Sequence, residues 1–407
     1  MLVMMALTVA ASTAADGNSG GVILTDDAGA MQINSSDALA QPVLLNGKDV
    51  LSTIREQASV IEEQGNLIAN QTSLIAALEE YLCSLHPPHL GRILSAGQNA
   101  TKWGGGVLAP NGLIYGVPYS ATSVLIIDPT TNTLDTTTIA RLPFADYKWH
   151  GGTLAPNNNN IYCFPSNHDS VLKIDPSTNT ADWTTITGVG TGDGKFRSEV
   201  LAPNGLIYGV PHHASFVPIV DPNTDTIDTT TLTGLSPGGR KWWGGVIVPD
   251  GRIFCIPFDA EAVLIIDPDT NALDITSLSG FGTLTAQWAG GVLANNGLIY
   301  GVPRFSTAVL IIDPEAMTAD ATTITGLRGA NKWAGGVLAA NGKVTGMPYS
   351  SDAVLVIDPE TNTADTTILT DAGSGNYKYF GGVLAPNNRI YAIPFFADNV
   401  LVIDVGC

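Results

Sequence analysis

One unit, running from Lys102 to Pro129 (KWGGGVLAPNGLIYGVPYSATSVLIIDP), recurs seven times along the 407-residue chain. Its lysine–aromatic start falls at Lys102-Trp103, Lys148-Trp149, Lys195-Phe196, Lys241-Trp242, Gln287-Trp288, Lys332-Trp333 and Lys378-Tyr379. Successive starts are 46, 47, 46, 46, 45 and 46 residues apart. A fixed period of this length is the mark of a repeat architecture, in which one small unit buries its apolar face only by stacking on its neighbours.

Each unit reads as four strands. GGVLAP is the first, and Asn-Gly pairs such as Asn111-Gly112, Asn204-Gly205, Asn296-Gly297 and Asn341-Gly342 turn it into LIYGVP. Both residues of such a pair accept positive φ, which a tight hairpin demands. VLIIDP is a continuous apolar run and fits a strand buried on both faces. D-P-x-T-N-T follows as a turn, with Asp bonding its own backbone and Pro presetting φ. The Thr-rich LDTTTI is half polar, as a solvent-facing edge strand should be. Seven four-stranded units predict an all-β, seven-bladed propeller over residues 85–407.

The pattern of G-G, I-Y and D-P-x-T-N-T followed by an outer strand resembles kelch-type repeats, and Trp183 in TADWTTI occupies the kelch tryptophan position in blade 2. The kelch Gly-Gly after I-Y is replaced here by G-V-P. The P-x-G-x-I-Y hairpin is similar to the repeats of streptogramin-lyase-like propellers. Both resemblances imply the propeller fold; neither selects a function, because propellers host binders and enzymes alike.

The chain ends fit a closed ring. The seventh repeat stops after its third strand, Val400–Asp404, and His89–Leu94 stands where an outer strand should precede the first unit. Cys83 lies just before that strand and Cys407 just after its neighbour, which predicts a Cys83–Cys407 disulfide. Such a bond would close a very long loop and stabilise by about 4–5 kcal/mol in the chain-entropy model. The alternative is interchain pairing through Cys83. Cys163 and Cys255 sit on second strands of blades 2 and 4, too far apart to bond, and read as buried small residues.

The segment ahead of the repeats is different in kind. Residues 1–15, MLVMMALTVAASTAA, resemble a secretory leader that lacks a basic start. The sequons at Asn34, Asn70 and Asn99 are glycosylation candidates if the protein is secreted by a eukaryote. Residues 16–49 read as short strands and turns. Residues 50–84 form five heptads, with Val60-Ile61, Leu67-Ile68, Leu74-Ile75 and Tyr81-Leu82 repeating every seven residues and Gln57, Gln64 and Gln71 three residues before the first three pairs. A sustained heptad keeps one seam facing a partner, so a coiled coil is expected, and its width favours a homotrimer through residues 16–84. The competing expectation is a single amphipathic helix lying on the propeller. The order of short strands followed by heptads resembles the stalks of trimeric fibre and adhesin proteins, which implies a stalk carrying heads.

Net charge is −19, with only 18 Lys and Arg, which argues against nucleic acid or anionic lipid as a partner. No apolar run is long enough to span a membrane. No nucleophile elbow, phosphate loop or dinucleotide fingerprint stands in its required context, and neither a cofactor nor a metal is expected. The D-P-x-T-N-T turns lack the Gly and Glu of an EF-hand.

Two columns of the repeat should share one propeller face. The first is the lysine column, Lys102, Lys148, Lys195, Lys241, Lys332 and Lys378. The second follows the G-V-P proline: Tyr119, Ser166, His212, Phe258, Arg304, Tyr349 and Phe395. The second column varies while the framework does not, which is where specificity resides on a fixed scaffold. Basic and aromatic groups around a concave mouth suit glycans, acidic ones above all, although each lysine can instead pack on a neighbouring blade, and the aromatic after it reads as interblade packing.

Blades 2 and 3 break the pattern. Gly-Gly becomes Ser198-Glu199, the position after the lysine–aromatic pair becomes His150 and Arg197, and His168, His212 and His213 lie nearby. His150, Glu199, His212 and His213 are the acid–base set to expect if the propeller is a lyase or hydrolase. The regularity of the repeats points first to a secreted head-and-stalk protein with a binding or structural head. An enzyme and an intracellular kelch-like protein-interaction scaffold are the alternatives.

Overall fold

The computed structural model describes residues 44–45, 48–85, 87–94, 96–97, 101–282 and 284–406. The expected leader, the sequons at Asn34 and Asn99, and Cys407 of the expected disulfide lie outside the described residues. Two compact units divide the chain, Met1–Leu85 and His86–Cys407.

In the first unit, Leu44–Leu45 pairs antiparallel with Lys48–Asp49, and one helix, α1, follows at Val50–Leu85. Its sequence is rich in Leu, Ile, Ala, Glu and Gln, and Pro87-Pro88 forbids its continuation. A Cβ at Gly65 would meet nothing, so that glycine answers to no packing demand. Asn70 is exposed on this helix. The heptad side chains are exposed too: Ile61, Leu67, Ile68 and Leu74 each keep more than half their surface, at 63%, 57%, 62% and 62%.

The second unit is a seven-bladed propeller of four-stranded antiparallel blades. In blade 1 the strands run from inner to outer as Trp103–Leu108, Ile114–Pro118, Leu125–Asp128 and Thr133–Asp135. The second strand is buried throughout and the third buries its three apolar residues, as the apolar runs require. Blade 7 takes its outer strand from the other end of the propeller. His89–Leu94 pairs with Asn399–Asp404 in unbroken register, from His89 opposite Asp404 to Leu94 opposite Asn399. The ring is therefore closed by pairing between segments some 300 residues apart, which supplies the outer strand that the seventh repeat lacks.

Seven apolar clusters fill the seven interfaces between blades. Between blades 1 and 2, for example, Val107, Tyr115, Val117 and Ile126 meet Trp149, Ile161, Cys163 and Leu172. Cys163 and Cys255 are free and fully buried in such clusters, as expected. The aromatic after each lysine packs here as well. Where that aromatic is tryptophan, its indole N–H donates to a carbonyl in the same blade, from Trp103 to Ser123 O at 2.9 Å and from Trp333 to Ala353 O at 2.8 Å.

The face with the D-P-x-T-N turns is tied by tyrosines. The buried Tyr300 hydroxyl accepts from Asn296 Nδ2 at 3.0 Å in its own blade and donates to Asn362 Oδ1 at 2.9 Å in the next. Tyr115, Tyr162 and Tyr391 repeat the arrangement with Asn179, Asp225 and Asn132. Two blades lack the tyrosine. Blade 4 has Phe254, and Arg252 Nη2 donates to Pro314 O at 2.7 Å in compensation. Blade 6 has Thr345, whose buried Oγ1 finds no partner. The resemblance of these turns to calcium loops is turn chemistry: Asp267 and its counterparts accept from their own following backbone amides. No cluster of metal-ligating side chains occurs among the described residues.

Glycines line the axis. Gly105, Gly244, Gly290, Gly335 and Gly381 hold φ between 68° and 109° at inner-strand bulges, and Gly151, just ahead of the blade 2 inner strand, holds 79°. A Cβ on Gly244 would come within 2.7 Å of the Gly290 Cα, so adjacent inner strands touch backbone to backbone. Blade 3 puts Ser198 there, at φ 153°.

Candidate functional site

The lysine ammoniums of the expected ring are taken up by backbone carbonyls. Each lysine extends along an interblade joint and its ammonium donates to backbone carbonyls of the preceding blade and its loop. Lys148 Nζ meets Ala121 O and Ala145 O, both at 2.9 Å. Lys195 meets His168 O and Gly192 O, Lys332 meets Arg304, Ser306 and Gly329 O, and Lys378 meets Ser351 and Gly375 O. Lys102 reaches Ala397 O at 2.8 Å across the closure joint, and Lys241 reaches Gly238 O at 3.0 Å. All six are buried. Burial pushes the amines of Lys102, Lys148, Lys241 and Lys332 down to about 8. The physical reason is local supply: the loops on this face turn in unpaired carbonyls, and the nearest long donor is the lysine. Gln287 plays the same part through Nε2 and Phe281 O.

The mouth belongs instead to the residue after each lysine–aromatic pair and the residue after each G-V-P proline. Trp243 of blade 4 lies near the axis. It stacks on Phe380 of blade 7 with ring centroids 5.1 Å apart and planes at 24°, and it packs on Phe258 at 4.7 Å. His150 of blade 2 meets both Trp243 and Phe380 edge-on, at 5.4 and 4.5 Å. Side chains from blades 2, 4 and 7 thus meet and floor the axial channel.

Above this floor is a cavity of about 500 Å³. Tyr119, Tyr147, Tyr349, Tyr377, Phe395 and Phe396 wall it, and Arg197, His150, His213, Asn167 and Asp193 give it polar edges. Two tyrosine pairs repeat each other: Tyr119–Tyr147 and Tyr349–Tyr377 each have centroids 5.0 Å apart, with planes at 42° and 46°. Tyr147 and Tyr377 hold φ of 59° and 60°, in the left-handed region bulky residues avoid. The same turn position carries Gly194 in blade 3. Tyrosine at this turn costs on the order of 1 kcal/mol and puts a ring on the rim.

Two guanidiniums stand in this aromatic enclosure. Arg197 Nη1 donates to the Tyr119 hydroxyl at 2.6 Å, its Cζ lies 5.2 Å from the Tyr119 ring and 5.1 Å from the Trp243 ring, and its buried Nε has no partner. Arg304 is buried behind Trp243 and Tyr349, with Cζ 5.0 and 4.5 Å from their rings; its Nε donates to Asn331 Oδ1 at 2.9 Å and its Nη1 is unpaired. Among the described residues neither arginine is within ion-pair distance of a carboxylate. Burial lowers the Arg304 guanidinium from its ordinary value.

The acid–base set is only partly assembled. His150 and His213 line the cavity, and His150 Nδ1 is buried without a partner. Burial first, then the Arg197 and Arg304 charges, hold His150 well below the ordinary imidazole range, so it is neutral. His212 lies behind, stacked on His213 at 5.1 Å, with Nδ1 3.0 Å from Trp242 O; burial lowers it too. Glu199 is elsewhere. Its carboxylate accepts from Phe164 N at 3.3 Å beside Cys163, in the joint between blades 2 and 3, and burial raises it well above the carboxylate range. There the blade 2 inner strand shortens to Thr153–Ala155, while the other six inner strands have six residues.

Of the post-proline column, Tyr119, Tyr349 and Phe395 line the cavity, whereas Ser166, His212, Phe258 and Arg304 are buried behind it. Trp243, Phe380, Tyr147 and Tyr377 escaped the sequence reading. The column Gly104, His150, Arg197, Trp243, Ala289, Ala334, Phe380, compared in all seven units, carries the missing signal.

No family model matches the chain, and no curated protein matches it. Solved structures do. A streptogramin B lyase aligns at TM-score 0.59 and 12% identity over 77% of this chain and 97% of its own. A catalytically inactive His-to-Ala variant of virginiamycin B lyase from Staphylococcus aureus, with quinupristin, aligns at 0.63 and 11% over 77% and 98%. The extracellular domain of BT4673 from B. thetaiotaomicron aligns at 0.57 and 12% over 78% of this chain and 42% of that one. At these identities the likeness is one of fold: the chain carries a seven-bladed β-propeller similar to those of the streptogramin B lyases.

Proposed function

We propose that the propeller is a binding module that takes a glycan or another anionic ligand at its aromatic mouth. The observation that supports this best is Arg197, fixed by Tyr119 and Trp243 in an aromatic cavity with no carboxylate partner. Aromatic faces stack on the C–H faces of sugars, and a guanidinium in a low-dielectric enclosure favours an anion. The test is a glycan-array screen of the full chain beside Trp243→Ala and Arg197→Ala. Signals on acidic glycans that both variants lose, with the thermal midpoint kept, are the expected result. Signals that both variants keep would place the site elsewhere.

Residues 16–84 serve as a homotrimeric stalk in this reading, with α1 as its coil. Thirty-six residues make a helix about 54 Å long, and the heptad columns stay exposed within one chain. Such a stalk would cluster three mouths and raise avidity for a repetitive ligand. The leader-like residues 1–15 and the extracellular neighbour accord with a secreted or surface location.

A lyase or hydrolase is the second reading, favoured by two imidazoles, His150 and His213, on one cavity. Glu199 turned toward Phe164 weighs against it. A turnover lost in His213→Ala while binding persists would make it the first reading.

A further inference from the structure

The mouth is blind, and its cation is held at one side. Trp243 and Phe380 meet across the axis and His150 wedges against both, so nothing threads through the channel at this level. A cavity of about 500 Å³ with a floor receives the end of a chain and cannot enclose its middle.

Arg197 also sets how an anion is held. Its Nη1 is committed to Tyr119 and its plane is set by two rings, so the guanidinium is fixed before any ligand arrives. A fixed planar fork offers a carboxylate or a sulfate two parallel hydrogen bonds. His150 adds a second polar contact: it is 3% exposed, its Nδ1 is unpartnered, and it lines the same cavity. In a chain of net charge −19, a guanidinium with no carboxylate in ion-pair distance among the described residues is a local reversal of the field.

Resting on the glycan-binding reading above, we propose that the mouth recognises the terminal acidic sugar of a glycan, its carboxylate or sulfate on Arg197 and its ring on the Trp243–Phe380 floor. The half-exposed rings of Tyr147, Tyr377 and Phe396 then receive the penultimate sugar at the rim.

The experiment is titration of the full-length chain with methyl glucuronide, methyl glucoside, a glucose 6-sulfate glycoside, and an oligouronate with its non-reducing end free or blocked. The glucuronide and the 6-sulfate should bind about tenfold to a hundredfold more tightly than the glucoside, the span of one charge-assisted hydrogen-bond pair. Arg197→Gln should erase that preference, Trp243→Ala should remove binding of all three, and the blocked oligomer should fail. Circular dichroism and the unfolding midpoint of each variant serve as fold controls. Equal affinity for glucuronide and glucoside, unchanged in Arg197→Gln but lost in Trp243→Ala, overturns the acidic-sugar assignment and leaves the mouth as the site. Equal binding of the blocked oligomer overturns end recognition. Glycan binding that survives Trp243→Ala overturns this inference and the reading beneath it together.

Discussion

The Arg197 guanidinium of blade 3 donates to the Tyr119 hydroxyl of blade 1 at 2.6 Å, passing blade 2 altogether. Blade 2 permits this because its inner strand is short and His150 turns toward Trp243 and Phe380. Tyr119→Phe keeps the ring and removes the tether. It should change stability by about 1 kcal/mol or less and weaken acidic ligands several-fold, since a free guanidinium must be ordered at binding. Calorimetric titration beside a urea melt separates the two effects; a loss of stability with unchanged affinity would make the bond structural only.

The lysines should behave as staples. Lys332→Met leaves three carbonyl acceptors of one joint without their ammonium and should destabilise by about 1–3 kcal/mol. Ligand affinity at the mouth should be unchanged. A denaturant series that moves little, together with a collapse of binding, would return the lysines to the ligand site.

Tyrosine hydroxyls tie the opposite face, and removing a bonded or an unbonded hydroxyl there gives predictions of opposite sign. Tyr300→Phe loses a bond to Asn362 and should cost about 1 kcal/mol. Thr345→Val removes a buried hydroxyl that has no partner and should stabilise by about 1 kcal/mol. Thermal midpoints that shift in the same direction for both would refute this account of the belt.

Stability should depend on pH through two groups with opposite slopes. Glu199 has its folded value raised by burial, so the folded state holds a proton the unfolded chain gives up near pH 4.3. Its contribution therefore falls as pH rises above that value, and Glu199→Gln should flatten the fall and be the more stable form at neutral pH. Asp135, Asp228, Asp274 and Asp320 lie at about 2, held down by the Thr138, Thr231, Ser277 and Thr322 hydroxyls and then by following amides. Their contribution is full above about pH 4 and is lost as pH falls through 2. Urea midpoints measured from pH 2 to 8 should rise and then decline for the parent chain. Parallel curves for the parent and Glu199→Gln above pH 4.5 would contradict the buried-acid account.

Leu67→Ser with Leu74→Ser breaks two heptad layers of α1. Light scattering should fall from the mass of three 42.4 kDa chains to that of one, with the propeller's melting retained. A full-length parent that is already monomeric would end the stalk proposal.

The sequence by itself determined the ring. Seven copies of one apolar pattern leave no other way to bury VLIIDP on both faces, and the missing strand of blade 7 named its own substitute, His89–Leu94. The interblade roles of Trp103 and its counterparts, and the inert burial of Cys163 and Cys255, followed from the same periodicity. Periodicity also placed Tyr119, His150 and Arg197 on one face. It could not tell which side chains on that face reach the axis, because repeat position fixes direction along a strand and leaves open what the group meets. Lys148 and Arg197 illustrate the difference. One stands near unpaired loop carbonyls and is consumed by them, while the other reaches across a neighbouring blade to a tyrosine and keeps a nitrogen unpaired. Only closure of the ring decides that, since it alone brings Trp243 of blade 4 onto Phe380 of blade 7 and gives the mouth a floor.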